Sequence, residues 1–367
     1  MSTVRLKYIL FLYLSVYQVN TLYSQISTPK YSNEFLAIGV GARAFGMSGT
    51  QVAAVNDVTA AYWNPAGLQR LTTKYDISLM HAEYFAGIAK YDYAGFATRL
   101  DSQSVIAASV IRFGVDDIPD TRFLFDANGN STSSINYNNI KFFSSADYAF
   151  MASYARSSNL IPGLTLGANV KVIHRIVGSF ASSWGFGIDV GAQYKKDKWF
   201  LGVVGRDITG TFNAWSYNTD LLKDVFAKTG NEIPENSIEL TVPRLIPGVA
   251  RTIIITKKFG LLVASDLNIT FDGKRNTAIR TGVFSIDPSL GLELDYNKLV
   301  YLRFGFGNIQ RIKGFEGNYS TQIQPNFGVG LRLNKLSIDY ALTDLGNLSE
   351  SLYSNVFSLR FAFDKIK

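Results

Sequence analysis

The sequence predicts an all-β fold: a transmembrane antiparallel β-barrel of about 14 strands with an N-terminal plug. Three observations carry this expectation. From about Tyr75 onward, apolar residues alternate with polar residues or glycine, in segments close to the ~9–11 residues that a tilted strand needs to cross a bilayer. Hydrophobic residues make up 47% of the 367-residue chain, aromatics 14% and charged residues only 18%, below the ~25% charged residues usual in soluble domains. After the third strand, long and short connections alternate, as they do in barrels with long outer loops and tight periplasmic turns.

Residues 1–24 are expected to be a secretory leader. Arg5 and Lys7 make a positive start, Tyr8–Val19 an apolar run, and Leu22-Tyr23-Ser24 a cleavage site before Gln25. The run is shorter than the ~20 residues of a spanning helix. Residues 25–74 are expected to form the plug. Ile26–Glu34 is polar and is placed on the periplasmic side. Gly39, Gly41, Gly46 and Gly49 lack the G-x-G-x-x-G spacing of a dinucleotide loop, and Gly and Ala here favour close backbone packing. Asp57 is a candidate cap for a short helix over Val58–Tyr62. Pro65 should end that helix, because the residue before proline, Asn64, is pushed out of the α region.

Residues 75–367 are expected to form the barrel. Strands are placed near 76–85, 88–100, 104–114, 145–156, 163–175, 184–194, 198–206, 247–257, 260–271, 285–297, 300–308, 325–333, 336–344 and 354–363. In one, Leu164, Leu166, Ala168, Val170 and Val172 oppose Thr165, Gly167, Asn169 and Lys171. In another, Val300, Leu302, Phe304 and Phe306 oppose Tyr301, Arg303, Gly305 and Gly307. Long connections are expected at 115–144, 176–183, 207–246, 272–284, 309–324 and 345–353. Thr277–Ser285 is assigned to a loop to keep the strand number even. The polar faces carry Lys171, Asp189, Asp266, Arg303, Arg332, Asp339 and Arg360. In a barrel these line the lumen, where opposite charges can pair and hold the plug.

Sequence support for catalysis is lacking. With 0 cysteines, thiolate chemistry and disulfides are excluded. His81 and His174 lie on different strands, where the default is a polar barrel position. Asp116-Asp117 opens a long loop, and Asp126–Asn130 resembles a calcium loop without its closing Glu, since Tyr137 stands there. No G-x-S-x-G or H-E-x-x-H occurs, and no cofactor is implied. The net charge of +7 is scattered rather than clustered, which argues against nucleic acid.

Gly41-Ala42-Arg43-Ala44, Gly46-Met47, Val52-Ala53, Asn56-Asp57 and Trp63-Asn64-Pro65-Ala66-Gly67-Leu68 resemble the PorV/PorQ family of the type IX secretion system, itself similar to FadL-type outer-membrane transporters. Phe271–Thr277 and Leu290–Leu294 extend the resemblance. It implies a 14-stranded barrel in the outer membrane, in contact with its lipid, with a hatch built from Gly41, Arg43, Gly46, Asn56, Asp57, Asn64, Pro65, Ala66 and Gly67. The implied function is protein secretion, with a large translocon pore, a surface attachment complex and cargo as partners. The alternative is FadL-like passage of a hydrophobic small molecule. This chain has Asn-Pro-Ala-Gly where PorV tends towards Asn-Pro-Ala-Lys. Loops 115–144 and 207–246 are the candidate contact surfaces, since long loops on a rigid scaffold carry recognition. Phe212, Trp215, Tyr217 and Phe226 are their candidate anchors, with a short helix expected over Leu221–Lys228.

Overall fold

The computed structural model describes residues 33–124, 135–230, 232, 234–313, 316–343 and 354–364. The leader, the Asp126–Asn130 turn and the 345–353 loop fall outside the described residues.

Fourteen wall strands form a closed antiparallel barrel. They are β1 (Tyr75–Tyr84), β2 (Ala89–Arg99), β3 (Ser104–Asp120), β4 (Lys141–Ser157), β5 (Leu164–Val177), β6 (Ala181–Lys196), β7 (Trp199–Arg206, continued by Thr211–Tyr217) and β8 (Ser237–Thr241, continued by Arg244–Ile254). The circuit goes on through β9 (Phe259–Thr270), β10 (Ser285–Tyr296), β11 (Val300–Lys313), β12 (Tyr319–Leu333), β13 (Leu336–Thr343) and β14 (Ser354–Phe363). Each pairs with its sequence neighbour, and β14 returns to β1 in a register from Tyr75↔Phe363 to Glu83↔Asn355. Closure leaves no unpaired sheet edge, which a bilayer would not tolerate.

The side-chain period decides which face meets what. Val300, Leu302, Phe304 and Phe306 on β11, Phe327, Val329 and Leu331 on β12, and Phe357, Leu359 and Phe361 on β14 are exposed on the outside, whereas Arg303, Gln324, Asn326 and Ser358 between them are buried. A girdle of exposed apolar side chains this extensive is foreign to a soluble surface and suits hydrocarbon. Among the described residues no helix is long and apolar enough to cross a membrane.

One end of the barrel carries tight turns. Asn297 and Lys298 both take positive φ (52° and 54°) between β10 and β11, the backbone of the hairpin turns that match strand twist. Four connections at the other end are shorter than the sequence suggests. β3 and β4 run 17 residues each, so the 115–144 connection shrinks to 121–140. The 176–183 connection is only 178–180, most of 309–324 belongs to β11 and β12, and of 207–246 the stretches 211–217, 237–241 and 244–246 belong to β7 and β8. These outer extensions rise past the ~9–11 residues that span hydrocarbon. There the outward face is no longer held to be apolar, and the periodicity fades while the hydrogen-bond ladder continues. Thr277–Ser285 stays a connection apart from a two-residue bridge, Ile279–Arg280, paired to Ile286 and Ser285. Asp116 and Asp117 lie within β3 at a register shift rather than on a loop.

Candidate functional site

Residues 33–74 run inside the ring of strands and touch its inner face on every side. The segment holds two short helices, α1 (Ala42–Gly46) and α2 (Ala60–Trp63), and two 3₁₀ turns, Glu34–Ala37 and Pro65–Arg70. α2 starts two residues after the Val58 expected from sequence. The Asp57 carboxylate still accepts a backbone N–H, from Thr59 at 2.9 Å. Asn64 is extended (φ −161°, ψ 105°) and its side chain accepts from the Ala66 N–H, so Pro65 both stops α2 and opens the next turn.

Glycines in the wall make room for this backbone. A Cβ at Gly167 would stand 2.4 Å from the backbone of Pro65 and Ala66, one at Gly202 2.3 Å from the Val52 carbonyl oxygen, and one at Gly305 2.3 Å from the Ser48 nitrogen. Gly46 in the segment meets wall Gly328 (2.9 Å from a Cβ to its Cα), and Gly67 lies against the Val55 carbonyl. The Gly41 N–H points to the Met80 sulfur and the Ala42 N–H donates to Ser358 Oγ. The Asn64 amide donates to the carbonyls of Val52, Ala192 and Val203. Asn326 donates to Ser48 Oγ at 2.6 Å.

Charge pairs fasten the segment at several points. Arg43 forks onto Glu293 at 2.8 and 2.9 Å and reaches Asn56 at 3.3 Å. Glu293 also holds Arg303 (2.7 Å), which in turn binds Asp339 (2.7 Å). Burial alone would lower the pKa of Arg43, but the Glu293 carboxylate outweighs it and raises the pKa well above the usual arginine value. For Asp57 burial works against ionisation, yet Arg360 and Arg43 together hold its carboxyl below the ordinary value. Burial, with repulsion from Arg43, brings Arg70 down to about 10. Arg360 binds Asp76 in the wall, and Asp266 accepts the N–H groups of Gln51 and Val52 at 2.8 and 3.0 Å. Lys171 bridges Asp189 (2.8 Å) and Asp207 (2.5 Å). Glu34 takes Arg244 at 2.8 Å and Arg275 of the 271–284 connection at 3.2 Å.

Of the lumen residues singled out from sequence, Arg303 and Asp339 thus join one network, Lys171 and Asp189 another, and Asp266 and Arg360 act separately. Arg332 stands apart, its guanidinium 4.9 Å from the Tyr301 ring centre. Glu293, Asp207, Asp76, Asn169, Gln193 and Arg206 were missed. Glu293 has a signal in hindsight, as the one carboxylate between the leucines of Leu292-Glu293-Leu294. Asp207 had none, because it depends on the break in β7. The histidines face outward: His81 contacts Asp92 at 2.7 Å, and His174 stacks on Trp184 at 4.0 Å between ring centres.

The candidate anchors do not form one loop surface. Phe212, Trp215 and Tyr217 lie on β7, within the wall. Phe212 is exposed, whereas Trp215 stacks on Tyr217, donates to Glu239 and carries Arg175 over its ring at 5.0 Å. Phe226 lies on α3 (Thr219–Thr229), the helix expected over Leu221–Lys228. The exposed apolar side chains at the outer rim are others: Phe123, Ile135, Tyr137, Phe142 and Ile238, with Tyr137 and Ile238 each 70% exposed. Arg122 joins this rim to α3 through the Leu221 carbonyl at 3.5 Å and lies 4.5 Å from the Phe180 ring centre. Among the described residues no group of three or more His, Cys, Asp or Glu is placed to hold a metal ion.

A closed 14-strand barrel with an apolar girdle, tight turns at one end and extended strands at the other is a protein of the bacterial outer membrane. A family model described as "Type IX secretion system protein PorV" matches residues 24–219, more than half of the chain. The chain belongs to the PorV family. No curated protein matches it. Among solved structures it is similar to the toluene transporter TbuX of Ralstonia pickettii (14% identity, 89% of this chain and 98% of that one, TM-score 0.51). It is also similar to the toluene transporter TodX of P. putida (15% identity, 89% and 99%, TM-score 0.54). At these identities the likeness is one of fold.

Proposed function

We propose that this type IX secretion barrel works by binding protein partners, machinery or cargo, at its outer rim. In this reading, residues 33–74 are a plug held in place rather than a gate in regular use. The observation that carries the proposal is the exposed apolar rim of Phe123, Ile135 and Tyr137 on the 121–140 connection, with Phe142 and Ile238 on the strands that outreach the bilayer. Exposed aromatics on a rigid support are what hot-spot recognition uses, and no lipid is needed to cover them at that height. Buried charge pairs hold the plug, and removing one partner of such a pair costs about 3–5 kcal/mol, a poor design for frequent opening.

The test is co-purification from native membranes. Tyr137→Ser with Phe142→Ser should strip bound partners while the barrel still shifts on gels when heated. A deletion confined to 219–229 serves as a second probe of the same rim. A deletion starting at Ala214 would cut into β7 paired with β6, so it is avoided. Unchanged partners in both variants would reject the proposal. The alternative, passage of hydrophobic compounds, draws on the fold shared with toluene transporters. The cavity beside the plug mixes the charged Glu34, Arg206, Arg244, Asp266 and Asp287 with the apolar Phe45, Val52, Trp63 and Ile246, a lining less suited to a purely apolar passenger. A co-purifying amphiphile found by mass spectrometry would favour that alternative.

A further inference from the structure

A cavity of about 670 Å³ lies between the inner segment and the upper inward faces of β7 to β13. Its size falls within the ~300–1,000 Å³ of small-ligand sites. Asn276 and Asn308 are exposed lining residues, so it opens toward the outer end of the barrel. On its β9–β10 wall, three side-chain acceptors have no hydrogen-bond partner: Asp266 Oδ1, Asn268 Oδ1 and Asp287 Oδ1. Asn268 and Asp287 are register partners, and Asp266 is two residues along the same inward row. Asp266 is only 4% exposed, and its other oxygen is already committed to the plug.

Leaving one buried acceptor unmatched costs about 1–3 kcal/mol. Three together on one cavity wall call for a group with several N–H donors. The cations nearby already have partners, apart from the Arg206 Nε–H, which is buried without one. Arg244 pairs with Glu34, Arg275 with Glu34 and Asp272, and Arg206 packs on Tyr62 and Trp63 and donates to the Tyr62 carbonyl.

We infer that this cavity binds an ammonium or guanidinium group, with Asp266, Asn268 and Asp287 accepting its N–H bonds. A free amine and a basic side chain on a polypeptide share this chemistry. Calorimetric titration of the detergent-purified full chain with agmatine, and separately with acetyl-Gly-Arg-Gly-amide, distinguishes them. Saturable agmatine binding, weakened at least 10-fold by Asp287→Asn and by Asn268→Leu, supports a free amine as ligand. Binding of the peptide alone, with the same sensitivity, supports a polypeptide side chain. Heat-modifiable migration confirms that each variant is folded, and Asn268→Ser replaces any that is not. Failure of both probes to bind, or binding indifferent to both positions, overturns the inference. Neither outcome depends on the rim variants above.

Discussion

Replacing Gly305 with alanine probes whether the proposed plug, residues 33–74, rests its backbone directly on the wall. The new Cβ would stand 2.3 Å from the Ser48 nitrogen and 2.4 Å from the Met47 carbonyl carbon, where ordinary contact starts at 3.4 Å. Both are backbone atoms, so no side-chain rotation relieves the clash, and residues 47–48 must retreat by roughly 1 Å. The retreat also pulls on the Asn326–Ser48 hydrogen bond. Overpacking of this kind costs about 1–3 kcal/mol. The plug bears the cost, because β11 is held by ladders to β10 and β12. The chain has no cysteine, so a single Ala54→Cys at a buried plug position reports opening through its rate of maleimide labelling. Each 1–2 kcal/mol should speed labelling by roughly 5- to 30-fold. Gly282→Ala is the control, since its Cβ meets nothing within 4 Å. Labelling of the Gly305→Ala protein at the parent rate would refute the packing of the plug against β11.

Glu293→Gln removes the carboxylate that Arg43 and Arg303 share and leaves Arg303 paired with Asp339 alone. It should lower the stability of the folded barrel by about 3–5 kcal/mol in urea titration, and a loss under about 1 kcal/mol would count against a buried network. Asp57 has a lowered pKa in the fold. Its contribution is therefore fully present above the unfolded value of about 3.9 and is lost as pH falls through the lower folded value. The ratio of labelling rates between Asp57→Asn and the parent, in which the pH dependence of the thiol itself cancels, should stay constant from pH 8 down to about 4 and approach one below it; a collapse near pH 6 would contradict the pairing with Arg360 and Arg43. Trp184 and Trp199 are exposed on the outer face, whereas Trp63 donates to the Val40 carbonyl within the plug and Trp215 faces the lumen. Brominated lipid should quench the parent protein and leave a Trp184→Phe, Trp199→Phe double variant nearly unquenched; equal quenching of both would misplace the membrane.

The strand order and their inward and outward faces were legible because hydrocarbon imposes one rule on every spanning segment. Each of the fourteen strands expected from alternation has its counterpart in the wall, including Leu164–Val177 and Ser354–Phe363. The outer ends were not legible. Lys141–Phe143 and Tyr319–Gln322 pair as strand without the apolar–polar alternation that would announce it. Nor could Trp215 and Tyr217 be recognised as lumenal, since their facing depends on β7 resuming at Thr211 after its break.

The sequence by itself determined the class of protein: alternation, aromatic content and the Gly/Ala-rich stretch ending in Asn64-Pro65-Ala66-Gly67 are local properties, and a bilayer reads them strand by strand. Only the tertiary structure decided which charges meet. Arg43 and Glu293 are 250 residues apart in the chain, and no local pattern couples them. Closure of the barrel brings β10, β11 and β13 around α1, and the low dielectric of that interior strengthens the pairing of Glu293 and Asp339 with Arg43 and Arg303.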